Sequence, residues 1–281
     1  MKHKLSSLTE DIVQAEDVLA NPLSHRLIID ARLGEPDEEL QSYRECHIQG
    51  AVHAQIREIF AGQPTPESGN LPLPPLPALQ SHLEAWGVDD DTEIIVYGPS
   101  MALAARGWWV LRWAGFRHVK VLDGGLRSWM NQGGPVAQGE AFPRARSLPG
   151  RLTLTPGHMP QIEVSDLLTL PPDVVLIDAR DENSFLAGCI PRACNLPSAE
   201  QWTPAMQLRT VKEIQQLYTE IGVLPHSDVV VYCGGGVLSA LSVLTLNALG
   251  LHPRLYVGSW SEWNKSPSRM ALSAAERALS S

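Results

Sequence analysis

A single cysteine stands where an apolar run gives way to a glycine-rich turn. Val229-Val230-Val231-Tyr232 leads into Cys233, then Gly234-Gly235-Gly236-Val237-Leu238-Ser239, then an apolar run from Ala240 to Gly250. The pattern predicts a buried strand, a tight loop and a helix N-terminus, with one thiol at the turn. Glycines let successive N–H groups point inward and cradle an anion. The helix N-terminus adds positive potential. A cysteine there has its thiolate favoured, and the thiolate is the reactive form. The competing reading is a structural cysteine beside an ordinary turn, since free cysteines are commonly core residues. This stretch alone does not separate the two.

The elements that must position the loop occur twice. Leu27-Ile28-Ile29-Asp30-Ala31-Arg32 reads as a short buried strand ending in a polar corner, and Val175-Leu176-Ile177-Asp178-Ala179-Arg180 repeats it. Glu93-Ile94-Ile95-Val96-Tyr97 is matched by Asp228-Val229-Val230-Val231-Tyr232, and each leads into a helix-like run with a glycine near its end, Gly115 and Gly250. Leu122-Asp123-Gly124-Gly125-Leu126-Arg127-Ser128-Trp129 has its counterpart around Gly258-Ser259-Trp260-Ser261-Glu262-Trp263. Such a repeat, with strands alternating with helical runs, predicts parallel sheets covered on both faces. Its expected divisions are an N-terminal unit over 1–137, a linker over 138–157 and a C-terminal unit over 158–281. The link is rich in Gly, Pro and Arg, and a proline-rich insert, Pro64 to Pro77, reads as an extended loop in the first copy. Cys233 aligns with Gly98, and the cradle becomes Gly98-Pro99-Ser100-Met101-Ala102. A thiol retained in one copy only argues for chemistry at the carboxyl end of a sheet strand, where open α/β sheets bind ligands.

Composition narrows the classes. The chain has 281 residues, 44% apolar and 19% charged, with 22 basic against 31 acidic side chains and a net charge of −9. That suits two soluble domains and argues against nucleic acid as a partner. No apolar run reaches the roughly 18 residues of a membrane span. Met1-Lys2-His3-Lys4 begins basic but lacks the apolar stretch of a secretion signal. Cys46, Cys189, Cys194 and Cys233 fit no zinc spacing, and a reducing cytoplasm is the expected setting. Cys46, Cys189 and Cys194 read as packing residues.

Together these motifs resemble the tandem-domain sulfurtransferases, the rhodanese and 3-mercaptopyruvate sulfurtransferase family. The resemblance spans nearly the whole chain. It rests on the two Asp-Ala-Arg corners, His47-Ile48-Gln49-Gly50-Ala51, Trp108-Trp109-Val110-Leu111-Arg112-Trp113, Leu122-Asp123-Gly124-Gly125-Leu126, the Cys233 loop and Gly258 to Trp263. It implies an α/β fold of two tandem rhodanese-like domains, each a parallel sheet flanked by helices, with a catalytically silent N-terminal copy. It implies Cys233 as the nucleophile that takes a sulfane sulfur from 3-mercaptopyruvate or thiosulfate, becomes a persulfide, and passes the sulfur to a thiol, a thioredoxin-like protein or cyanide. The amides of Gly234, Gly235, Gly236, Val237, Leu238 and Ser239 would hold the charge. No cofactor is implied, and ping-pong kinetics are expected.

The loop resembles the family's neutral mercaptopyruvate type, Cys-Gly-Ser-Gly-Val-Thr, more than its basic thiosulfate type. Two hydroxyl positions are lost, at Gly235 and Leu238. No arginine follows the second corner as in the mercaptopyruvate enzymes, which leaves Arg180 and Arg192 as candidate substrate clamps. Arg180 also reads as a corner residue, and His47 as a hydrogen-bonded structural histidine. Trp108, Trp109 and Trp113 read as core, Trp260 and Trp263 as packing of the second domain, and Asp123 as a turn cap. Two other functions stand beside sulfur transfer. A cysteine phosphatase would need an arginine closing the loop, where Ser239 stands. A non-catalytic, sulfur-binding or partner-recognition module would explain the lost hydroxyls and arginines.

Overall fold

Short runs of Val, Ile and Leu form the strands, because strands covered on both faces need no polar alternation. The computed structural model describes residues 9–22, 25–140 and 151–280. The N-terminal half runs β1 (Ile12–Val13), α1 (Ala15–Ala20), β2 (Arg26–Arg32), α2 (Pro36–Glu45), β3 (His47–Ile48), β4 (Val52–Gln55), α3 (Ile56–Ile59) and α4 (Leu76–Ala85). It continues with β5 (Glu93–Tyr97), α5 (Met101–Trp113), β6 (Val119–Leu122), α6 (Gly125–Asn131) and β7 (Val136–Ala137). The C-terminal half runs α7 (Val164–Leu167), β8 (Val175–Asp178), α8 (Glu182–Ala187), β9 (Cys194–Asn195) and α9 (Val211–Glu220). After these come β10 (Val229–Tyr232), α10 (Leu238–Ala248), β11 (Arg254–Leu255), α11 (Ser259–Trp263) and α12 (Pro267–Ser280).

The repeat in the sequence is a repeat of topology. One sheet has the order β1-β6-β5-β2-β4 and the other β11-β10-β8-β9, parallel throughout. A lone parallel bridge from Gln161 to Leu255 stands where β1 would flank the second sheet. The corners are built alike. Arg32 grips Asp30 through Nε and Nη2 at 3.0 and 2.9 Å, and Arg180 grips Asp178 with the same two nitrogens. Opposite them Tyr97 and Tyr232 accept the N–H of Ile48 and Ile190 through their hydroxyls.

The halves share one interior. Helix α5 packs against α10, and their apolar side chains belong to a single core cluster with strands from both sheets. Helix α10 is apolar nearly all round, as a helix enclosed between layers must be. Trp108 and Trp109 are fully buried in this core. Each half also lays a loop on the other. Lys265 Nζ donates to the carbonyls of Thr65 and Ser68, Asn70 N–H donates to Ser261 Oγ, and a Cβ on Gly69 would lie 2.4 Å from the Gly258 oxygen. The proline-rich insert is thus a strap over the second domain, and its last residues open α4 instead of continuing the loop. In return, Leu208 N–H donates to Asp123 Oδ1 and Arg127 donates to the Pro204 carbonyl. Asp123 therefore joins the halves, with Gln14 on its second oxygen. Of the linker, residues 151–157 are bonded down on the first domain through Asp90 and Ala114; residues 141–150 lie outside the described residues.

Asp30→Ala would leave the Arg32 guanidinium buried without its bidentate partner. The expected loss is about 3 kcal/mol, read from urea unfolding.

Candidate active site

Strand β10 delivers Cys233 to the carboxyl edge of its sheet, and the next residues turn back into α10. Cys233 is 1% exposed and belongs to the shared hydrophobic core, yet two polar hydrogens reach its sulfur. Its Sγ accepts the N–H of Gly236 at 3.1 Å and the hydroxyl of Ser239 at 3.3 Å. Helix α10 begins there with no side-chain cap on its first turn, so its positive end faces the sulfur. Carbonyls of the loop are drawn outward. Trp260 N–H takes the Cys233 oxygen and Ser261 N–H the Gly234 oxygen, both at 2.9 Å. A trans peptide sets its C=O and N–H on opposite sides, so these bonds turn the amides of Gly234 and Gly235 the other way. Gly236 sits at φ +78, where an added Cβ would lie 2.9 Å from the Val257 oxygen. Over Gly234 there is open space, with no atom within 4 Å of a built Cβ, whereas Gly235 faces Asn70 and Leu71 of the strap.

Two residues that the sequence reasoning passed over complete the site. Ser259 is fully buried at φ +54, accepts the Cys233 N–H at 3.2 Å and donates to the Tyr256 carbonyl. Its signal was present in the Gly-Ser-Trp run after β11. Arg106, on α5 of the other domain, is fully buried beneath the loop. It donates through Nη1 to Gly236 O at 3.3 Å and through Nη2 to Phe60 O and Leu71 O at 3.0 and 2.9 Å. Burial pulls its pKa down to about 10 while the Cys233 sulfur pulls it back up, so it stays cationic at neutral pH. An arginine in mid-run between Ala102 and Leu111, among residues nearly all of which turn inward, was the available sign.

The expected loop residues Gly234, Gly235, Gly236, Val237, Leu238 and Ser239 do lie around Cys233. The arginines proposed as clamps do not act alike. Arg180 is the corner residue: besides Asp178 it donates to the Gly188 carbonyl and lies 4.8 Å over the Trp260 ring. Burial works against its charge, but Asp178 outweighs burial and raises its pKa. Arg192 is not brought to the loop. It precedes β9, at the end of the sheet away from Cys233, and binds the carbonyls of Leu170 and Pro171. Its φ of +66 puts it in the left-handed region that favours glycine. His47 is buried in its own domain, stacked on Tyr43 with Nδ1 against the Tyr43 carbonyl. Trp263 is buried and bonds Ser273, while Trp260 backs Arg180. Cys46, Cys189 and Cys194 are half-buried and form no disulfide among the described residues. In the first domain Gly98 replaces Cys233, and a Cβ there would lie 2.3 Å from the Ala31 oxygen. Ser100 caps α5, so that copy has neither room for a thiol nor an open helix end.

The sequence profile of the rhodanese-like domain matches the chain twice, over residues 13–132 and 162–266. The chain belongs to the rhodanese family. A Pseudomonas aeruginosa protein named a probable 3-mercaptopyruvate sulfurtransferase is 35% identical over 267 residues, covering 86% of this chain and 90% of that one. SseB of Mycobacterium tuberculosis, which carries a thiosulfate sulfurtransferase name, is 32% identical over 254 residues, 85% of this chain and 87% of its own. The solved structure of the Escherichia coli 3-mercaptopyruvate sulfotransferase SseA superimposes with a TM-score of 0.76 at 29% identity, over 90% of this chain and 100% of that one. Sulfur transfer is the chemistry of these rhodanese relatives, and a thiol among inward amides fits it.

Ser239→Ala removes one of the two hydrogen bonds to the sulfur. It is expected to fold normally and to slow iodoacetamide alkylation of Cys233 at neutral pH by about 10-fold, followed by peptide mass. Gly236→Ala forces a side chain into the left-handed region against the Val257 oxygen. The expected cost is about 1–3 kcal/mol, measured by denaturant unfolding.

Proposed function

We propose that this rhodanese carries sulfur as a persulfide on Cys233, moving it from a small donor to a nucleophilic acceptor. The observation that carries the reading is the Cys233 sulfur held by Gly236 N–H and Ser239 O–H at the uncapped end of α10. In the first half-reaction the Cys233 thiolate attacks the donor's outer sulfur. A new S–S bond forms as the donor's bond to that sulfur breaks, and the bonding pair leaves with the donor. Thiosulfate would leave as sulfite. 3-Mercaptopyruvate would leave as the enolate of pyruvate, which takes a proton on carbon, while the thiol proton is released and the persulfide is left anionic. In the second half-reaction an acceptor attacks the outer sulfur and the pair of the S–S bond returns to Cys233. Inward amides favour the sulfur anion at both stages.

The donor we favour is 3-mercaptopyruvate. The loop from Gly234 to Ser239 carries no arginine or lysine of its own, where the dianion of thiosulfate would call for one; Arg180 is committed to Asp178 and Arg192 binds the carbonyls of Leu170 and Pro171. Small thiols, a thioredoxin-like protein and cyanide are the acceptors, and a reducing cytoplasm is the setting that supplies the thiols. No helix among the described residues is long and apolar enough to cross a membrane.

A non-catalytic sulfur-binding module is the second reading, favoured by the absent hydroxyls at Gly235 and Leu238. Ser239 speaks against it, because a hydroxyl does reach the sulfur from one position further on. A phosphatase would need a guanidinium inside the cradle, whereas Arg106 binds the loop from its carbonyl side.

Incubation with either donor, followed by intact mass, is expected to add one sulfur to the wild type and none to Cys233→Ser. Gain of sulfur by the serine variant, or by neither protein, defeats the reading. Steady-state comparison is expected to favour 3-mercaptopyruvate over thiosulfate by about 10-fold or more in kcat/KM.

A further inference from the structure

Arg106 is a buried cation with no carboxylate partner. Among the described residues it takes part in none of the ion pairs. Its terminal nitrogens face three neutral carbonyls, and its Nε is buried with no hydrogen-bond partner. Carbonyl dipoles soften the desolvation of a guanidinium but do not cancel its charge. The titratable group whose charge acts on it is the sulfur of Cys233. Among the described residues that sulfur, in turn, is bonded by a neutral amide and a neutral hydroxyl.

We propose that Arg106, reaching across from the domain without the thiol, is a positioning residue for sulfur transfer: it fixes the Gly236 turn and supplies the positive charge that balances the anionic sulfur. The proposal rests on Cys233 being the sulfur carrier. Arg106 does not touch the reacting atom. Its grip on the Gly236 carbonyl directs the next N–H, that of Val237, away from the arginine. A Cβ on Gly236 would lie 3.0 Å from Nη1, so the arginine also fixes how closely the turn can settle. One cation serves both halves of the cycle. The donor leaves with the electron pair of the bond that breaks, so the site carries one negative charge as thiolate and one as persulfide. The charge merely moves outward by a disulfide bond length, about 2 Å.

Arg106→Met keeps the length and removes the charge, and Arg106→Lys keeps the charge. Sulfur loading from 3-mercaptopyruvate and discharge to cyanide are timed by quenched intact mass. The Met variant is expected to slow both steps by about 10²-fold while still loading one sulfur, and the Lys variant to recover most of the rate. A Met variant as fast as the wild type, or a Lys variant as slow as the Met one, overturns the proposal. A wild type that gains no sulfur defeats the carrier reading instead. Alkylation of Cys233 by iodoacetamide, which needs no donor, then still tests Arg106 through the same ordering of rates. If the Met variant does not fold, Arg106→Gln retains donors for the carbonyls and replaces it. If neither folds, the wild type decides. Capping Cys233 with methyl methanethiosulfonate makes the sulfur neutral and is expected to lower Tm by about 2 °C or more, relative to the same treatment of Cys233→Ser. An unchanged Tm overturns the proposal.

Discussion

A planar peptide that turns its carbonyl outward must turn the following N–H inward, and the Cys233 loop is governed by that constraint. Three of its carbonyls have fixed external donors: Trp260 and Ser261 at the start of α11, and Arg106 from the other domain. The cradle is therefore held from outside, by groups that never meet the sulfur. This places the demand for accuracy on the packing of α11 and α5 around the loop. It also explains why the glycines are followed at once by a helix without a cap. Side-chain oxygens at that helix start would compete for the very amides that the sulfur requires.

The two domains show what the same topology does without this arrangement. In the first domain the Ala31 carbonyl occupies the space of a side chain at Gly98, and Ser100 satisfies an amide of α5. What the first domain supplies is contacts. Helix α5 supplies Arg106 and much of the shared core, the strap of residues 65–71 walls Gly235, and Asp123 anchors the loop that the second domain sends back.

Much of this was legible in the residues. Short Val and Ile runs repeated with the same polar corners gave the two parallel sheets, because burial on both faces leaves that mark on composition. The loop after Tyr232 was legible because the repeat keeps a thiol and three glycines in one copy and has neither in the other. What stayed hidden depended on contacts between distant segments. Arg106 looks like one more charge on a helix until α10 is placed against it. The bond from Leu208 to Asp123 joins residues 85 apart and leaves no mark on either segment alone. Arg192 looked available because the sequence shows that it follows the corner, but not that it precedes a strand running toward the site. Ser239 was noted for its amide, and its hydroxyl reaches the sulfur only because the loop closes by one turn of helix.

The joint interior of α5 and α10 bears on the history of such a chain. A duplicated gene ordinarily frees one copy to decay or to be lost. Here each half covers an apolar helix of the other, so deleting the first would expose an apolar face of the second to water. The first half thus covers the helix that follows the Cys233 loop, and neither half keeps its interior dry without the other.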